Sequence, residues 1–364
     1  MSNVNNYLEW RGDVPITNET PLNEVDSIIL ARFSYLIFDR IKMEEKETIK
    51  SISDKMKDFK NEEFRYNGDK QLITNLGLSR RFRDMLVTDF IENNERESEK
   101  QFGAITVHTK ENELYVSFIG TDATIYGWKE DFNMAFMENV PCQVEGEKYL
   151  EMIAKKYPNS KIRIGGHSKG GNVAIYSAVT ASEEVKDRII KVYNYDGPGF
   201  SKQFIESHNE KSIIKKITTY FPQDSVIGRI MNHKEKYLVA LSTEKGIYQH
   251  DIYSWQVMGT DLIYSTLTSS SEAMNKTVSN WLENTTVEQR KMFFDTLFDL
   301  FYSTEAKTFG EMSKNLTTNL PIIYKRYEEI SPEDKKTATE MTKLFAKTYF
   351  EQLLKKPEKE QKWE

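Results

Sequence analysis

Residues 161–181, KIRIGGHSKGGNVAIYSAVTA, gather the residue types that nucleophilic chemistry needs. Gly166-His167-Ser168-Lys169-Gly170 fits the pattern G-x-S-x-G, in which a serine stands at a sharp turn between a strand and a helix. Ile162 and Ile164 supply β-branched strand positions before it, and Val173, Ala174, Ala178 and Val179 recur at helical spacing after it. Flanking glycines let strand and helix pass close together. The helix aims its N-terminal amides at the turn, where an oxyanion would form. The five-residue pattern is weak alone; the strand, the helix and the doubled glycines Gly165-Gly166 and Gly170-Gly171 make it a strong signal.

A serine hydroxyl is a poor nucleophile until a base takes its proton, and an acid must hold that base in one tautomer. On doubly wound sheets these partners follow the serine in the order acid, then histidine. Of the five histidines, His108 precedes the turn, His167 is part of it, and His208 and His233 sit in charged surroundings that read as surface. His250, in Tyr248-Gln249-His250-Asp251, follows the last expected strand and precedes Trp255; it is the expected base. The expected acid is Asp224, after the second strand beyond the serine, with Asp196, after the first, as the alternative. Asp before Gly-Pro also caps loops through its own backbone. Two oxyanion donors are expected: the backbone amide of Lys169, directly after the serine, and that of Thr121, in a Gly-Thr turn ending an earlier strand.

These groups require a scaffold of strands alternating with helices. Helical periodicity runs through residues 23–41, with Asn23 as N-cap, and a further helix is expected over 79–93. Residues 41–70, dense in Lys and Glu, read as a solvated helix. Residues 103–109 and 113–119 read as a hairpin, 189–195 as a strand buried on both faces, and 213–220 and 237–241 as two more. The pattern implies an α/β fold with a mostly parallel central sheet and helices on both faces. From residue 261 onward it is helical, with capping signals at Thr285 and at Ser331-Pro332.

Composition narrows the function classes. Hydrophobic content of 38% with 12% aromatics supports a real core, and a net charge of −6 with interspersed signs and no basic stripe argues against nucleic acid as the main partner. The single Cys142 rules out an intrachain disulfide. The opening MSNVNNYLEWRGDVP lacks a basic segment followed by an apolar run, and no apolar stretch approaches membrane-spanning length. The expectation is a soluble, cytoplasmic protein with no metal and no organic cofactor.

Four stretches, SFIGTDATIYGWKEDFN, GGHSKGGNVA, YNYDGPGF and FPQDSVIG, together with Gln249-His250-Asp251 and Ser254-Trp255, resemble the class 3 (fungal-type) lipases. They are more similar still to a bacterial family of uncharacterised lipase-like α/β-hydrolases. The resemblance spans residues 100–258, and NEVDSIILARFSYLIFD is similar to that family's opening helix. It implies an α/β-hydrolase core over 101–260; the pattern of the residues adds 1–100 as a helical extension packed on the core, 261–355 as a C-terminal helical region or cap, and 356–364 as a disordered tail. It also implies Ser168 as nucleophile, Asp224 as acid, His250 as base, and Thr121 and Lys169 as the oxyanion hole. Lysine stands where class 3 lipases usually carry leucine after the serine, and Ile119 where they carry arginine before the Gly-Thr turn. The implied activity is hydrolysis of a small-molecule or lipid acyl ester. Acyl transfer and a catalytically inactive binding module are the alternatives.

Overall fold

The computed structural model describes residues 2–95, 97–122 and 124–354; the tail expected at 356–364 lies outside the described residues. Eight strands form one sheet whose spatial order follows the chain: β1 (Lys46–Thr48), β2 (Leu86–Glu95), β3 (Lys100–Lys110), β4 (Glu113–Phe118), β5 (Lys161–His167), β6 (Ile189–Tyr195), β7 (Ile217–Pro222) and β8 (Lys236–Ala240). β1 to β4 pair antiparallel, β2 to β4 through short connections and β1 to β2 through a segment that carries the helices Ile49–Met56 and Asp69–Leu78. β4 to β8 pair parallel, and the crossovers that parallel pairing demands carry helices, among them Pro141–Lys156 and Lys169–Thr180. This is an α/β-hydrolase fold with helical extensions.

Strand alternation divides the core into two layers. Ile105, Val107, Tyr115, Tyr193 and Tyr195 point into the layer covered by the N-terminal helices, one of which is Glu24–Phe33. Ala104, Leu114, Val116, Ile189 and Val192 point into the opposite layer, under Pro141–Lys156 and the elbow helix Lys169–Thr180. Asn23 caps its helix as expected, its side chain accepting from the Asp26 amide.

Two N-terminal expectations are corrected. The helix expected over 79–93 is instead strand β2, and the solvated helix over 41–70 is broken by β1 before helix Ile49–Met56. Phe82, Met85, Leu86 and Phe90 do fall at helical spacing. A ladder with β3, from Leu86 opposite His108 to Glu95 opposite Lys100, overrides that local preference. The expected capping signal at Thr285 lies one residue on, where Thr286 caps Val287–Tyr302 by accepting from the Gln289 amide.

Of the C-terminal helices, Val287–Tyr302 packs on the helix Ile125–Asn133 that follows Thr121, and Pro332–Leu354 packs on both Ser269–Glu283 and Val287–Tyr302. Phe132 lies 4.9 Å from Phe294 and 5.7 Å from Phe298 between ring centres. The Ile125 amide donates to the Lys307 carbonyl at 2.9 Å, and Lys129 pairs with Asp295. No described helix is long and apolar enough to cross a membrane.

Candidate active site

Ser168 sits between the last residue of β5 and the first of the elbow helix, at φ +57° and ψ −133°. A non-glycine residue held at positive φ is strained and persists only where its surroundings enforce it. Here they do. A Cβ added at Gly166 would come within 2.3 Å of the Gly170 backbone, and one at Gly170 within 2.3 Å of the Phe118 carbonyl oxygen. The Ser168 amide donates to the Tyr195 carbonyl at 2.9 Å, fixing the turn against β6. Ser168 is half-buried, and its hydroxyl has no hydrogen-bond partner among the described residues.

His250 lies over this turn. Its ring centre is 4.5 Å from that of His167, and its carbonyl accepts from His167 Nε2 at 2.8 Å. Burial, with His250 alongside, holds the His167 imidazole well below its ordinary pKa, so that ring stays neutral and serves as a donor. The Trp255 indole N–H donates to the Gln249 carbonyl at 2.8 Å and anchors the His250 loop, as the neighbouring aromatic stretch suggests.

The carboxylate that meets His250 is that of Asp196, not that of the expected Asp224. Asp196 Oδ2 lies 2.6 Å from His250 Nδ1, its side chain is 1% exposed, and its other oxygen accepts from the Ser225 hydroxyl. That carboxylate keeps the proton on Nδ1 and leaves Nε2 as the basic nitrogen. Asp224 is engaged elsewhere: its carboxylate accepts from the Gly246 amide at 3.0 Å and from the hydroxyls of Thr268 and Ser270. Burial alone would raise its pKa, but those hydrogen bonds hold it below the ordinary value. The reason is spatial. β6 adjoins β5 while β7 is one strand further out, and the loop after β7 meets the neighbouring Gln249 instead, the Asp224 amide donating to Gln249 Oε1 at 2.8 Å.

The two expected oxyanion donors flank the serine turn. Lys169 is the first residue of the elbow helix, so its N–H lacks an intrahelical acceptor. The Thr121 N–H has no acceptor among the described residues, and its hydroxyl is committed to Asp131 Oδ2 at 2.5 Å. The Lys169 side chain does not reach solvent; it is 1% exposed and donates to Glu130 Oε2 at 2.7 Å and to Gln101 Oε1 at 3.1 Å. Burial alone would lower its pKa, but Glu130 and Asp131 hold it above the ordinary value. Nothing in the Trp-Lys-Glu-Asp segment marks Glu130 as fully buried beside a half-buried Asp131, so this cluster is not legible in the sequence.

Burial pushes the Asp131 carboxyl up to about 6, against the opposing pull of Lys169 and Thr121. Between its ordinary value of 3.8 and about 6, the folded protein therefore holds a proton that the unfolded chain has lost. The stability this group contributes is complete below the lower value and is lost as pH rises through the upper one. Chemical denaturation of wild type and Asp131→Asn across this range should show the wild type losing ground to the variant as pH rises. A difference that stays flat would contradict the assignment.

A cleft of about 460 Å³ opens among residues 134–139, Phe204, Leu282 and Arg290, but none of Ser168, Asp196, His250 or Thr121 lines it. No cluster able to hold a metal ion occurs among the described residues.

A family model described as Mbeg1-like matches residues 76–299, a span that holds the serine, both aspartates and His250. The chain belongs to the Mbeg1-like family. A search of the curated proteins finds no match. Among solved structures this Mbeg1-like chain is similar to a fungal lipase in complex with an inhibitor, at 16% identity over 44% of this chain and 66% of that one, with a TM-score of 0.34. It is also similar to the Lip2 lipase of Yarrowia lipolytica, at 12% identity over 65% of this chain and 83% of that one, TM-score 0.35. A further fungal lipase matches at 12% identity over 68% of this chain and 90% of that one, TM-score 0.37.

Proposed function

We propose that this protein is a serine hydrolase acting on carboxylic esters. The observation that carries the reading is the pairing of a serine strained into an elbow with a histidine whose Nδ1 is held by a buried aspartate. Ser168 Oγ attacks the acyl carbon while its proton passes to His250 Nε2. The carbonyl oxygen becomes an oxyanion facing the amides of Thr121 and Lys169. Collapse of the tetrahedral intermediate breaks the ester bond, and the leaving alcohol takes the proton from His250. Water, deprotonated by the same nitrogen, then releases the acid and restores the serine. The unbonded Ser168 hydroxyl suits a site whose catalytic hydrogen bond tightens when substrate arrives. Ile247 and Tyr248, 53% and 75% exposed beside His250, offer an apolar rim to the acyl chain.

The test is covalent labelling with a fluorophosphonate, which reports an activated serine without requiring the natural ester. Wild type is expected to label stoichiometrically and Ser168→Ala not at all. A folded wild type that takes no label overturns the reading, leaving the inactive binding module.

A further inference from the structure

We infer that the buried Lys169 ammonium is a positioning residue that holds the two oxyanion donors in register. The inference rests on the hydrolase reading and deepens it. Lys169 supplies one donor from its backbone, while its side chain turns inward and reaches the segment that supplies the other. Two routes run from its Nζ. Through Asp131, whose Oδ1 lies 3.8 Å away, it reaches the Thr121 hydroxyl, which donates to Asp131 Oδ2. Through Gln101 Oε1 it reaches the Asp122 amide, which donates to the same oxygen at 3.2 Å. Glu130 closes the cluster: it accepts from Lys169 and from the amides of Gln101 at 3.0 Å and Cys142 at 2.9 Å. The oxyanion loop, strand β3 and helix Pro141–Lys156 thus all meet at one cation.

Burying a lysine is costly unless it is paired, and an apolar residue of similar volume fills such a site without that cost. What the ion cluster adds is a defined arrangement. The Glu130 side chain is fully buried, and Asp131 Oδ1 is buried with no hydrogen bond, facing Lys169. An oxyanion hole works only when its donors are fixed before charge develops. A tether between them therefore belongs to the turnover rate and not to substrate affinity.

The groups that face Asp131 are Lys169, Glu130, His250, the Cys142 thiol and the Tyr35 hydroxyl. Of these, Lys169 is the cation that keeps Asp131 able to accept from Thr121. Removing it raises the pH at which Asp131 takes up a proton, and so moves the acid limb of turnover upward.

The experiment uses the full chain and a short-chain p-nitrophenyl ester. The variant is Lys169→Met combined with Glu130→Gln, which removes both charges and keeps the amide at position 169. With folding checked by circular dichroism, kcat is expected to fall about 10²–10³-fold, the loss typical of one oxyanion donor, with KM little changed. The acid limb of kcat is expected to move to higher pH, and that movement to vanish in an Asp131→Asn background. A purely structural role predicts lower stability with kcat and its pH profile unchanged, and that result overturns the inference while leaving the hydrolase reading intact. Should the double variant fail to fold, Asp131→Ala alone removes the acceptor of the Thr121 hydroxyl, and an unchanged kcat there overturns the inference equally. A wild type inert to both ester and fluorophosphonate overturns the hydrolase reading and this inference with it.

Discussion

Asp196→Asn is expected to lower kcat by about 10⁴ while leaving the fold intact, the loss that follows when a catalytic imidazole is held in the wrong tautomer. Asp196 stands at φ +52°, a conformation asparagine adopts as readily as aspartate, so the substitution adds no backbone strain. Its amide nitrogen, turned toward His250 Nδ1, presents a donor where the carboxylate presented an acceptor. The ring proton then moves to Nε2, and the nitrogen facing the serine can no longer accept. Asp224→Asn makes the contrast. That carboxylate joins Gly246, Thr268 and Ser270, and the change leaves the His250–Asp196 bond in place. Rates of fluorophosphonate labelling for the two variants decide between them. Slow labelling by Asp224→Asn with normal labelling by Asp196→Asn would reinstate the sequence-based assignment.

His250 pairs with Asp196 and not with Asp224 for a reason that separates local from non-local information. The elbow is written in consecutive residues, because glycines, serine and helix formers must sit side by side for the turn to exist. His250 follows from chain order and a nearby tryptophan. The choice between Asp196 and Asp224 depends on how the His250 loop lies across the sheet, with His250 on Asp196 and Gln249 on Asp224, a contact that no run of residues records. Asp196-Gly197-Pro198 also carries a turn signal of its own, which masks the second task of the aspartate. β2 went unread because Phe82, Met85, Leu86 and Phe90 satisfy a helix as well as a strand. Only pairing with β3 decides between the two. The Lys169 cluster left one trace, a lysine where the lipases it resembles usually carry leucine. Burial turns that departure from a surface charge into a structural tie.

The largest expected loss of stability lies away from the serine, at Arg32. Its Nε and Nη2 donate to Asp69 Oδ1 at 2.9 and 2.8 Å, and both side chains are at most 1% exposed. The guanidinium lies 3.8 Å over the Tyr66 ring, with Tyr35 and Tyr253 at 4.9 and 5.1 Å. Two of these rings lead to the site: the Tyr35 hydroxyl donates to the His167 carbonyl at 2.7 Å, and Tyr253, three residues beyond His250, donates to Asp69 Oδ1 at 2.7 Å. Arg32→Met strands the Asp69 carboxylate in a dry interior and is expected to cost about 3–5 kcal/mol, the usual result of removing one partner from a buried ion pair. Adding Asp69→Asn removes the stranded charge, so the double variant should be the more stable of the two. Urea unfolding midpoints at constant m provide the measurement. Equal destabilisation of single and double variants would mean that the stacked rings, and not the buried charge, hold the N-terminal helix against the His250 loop.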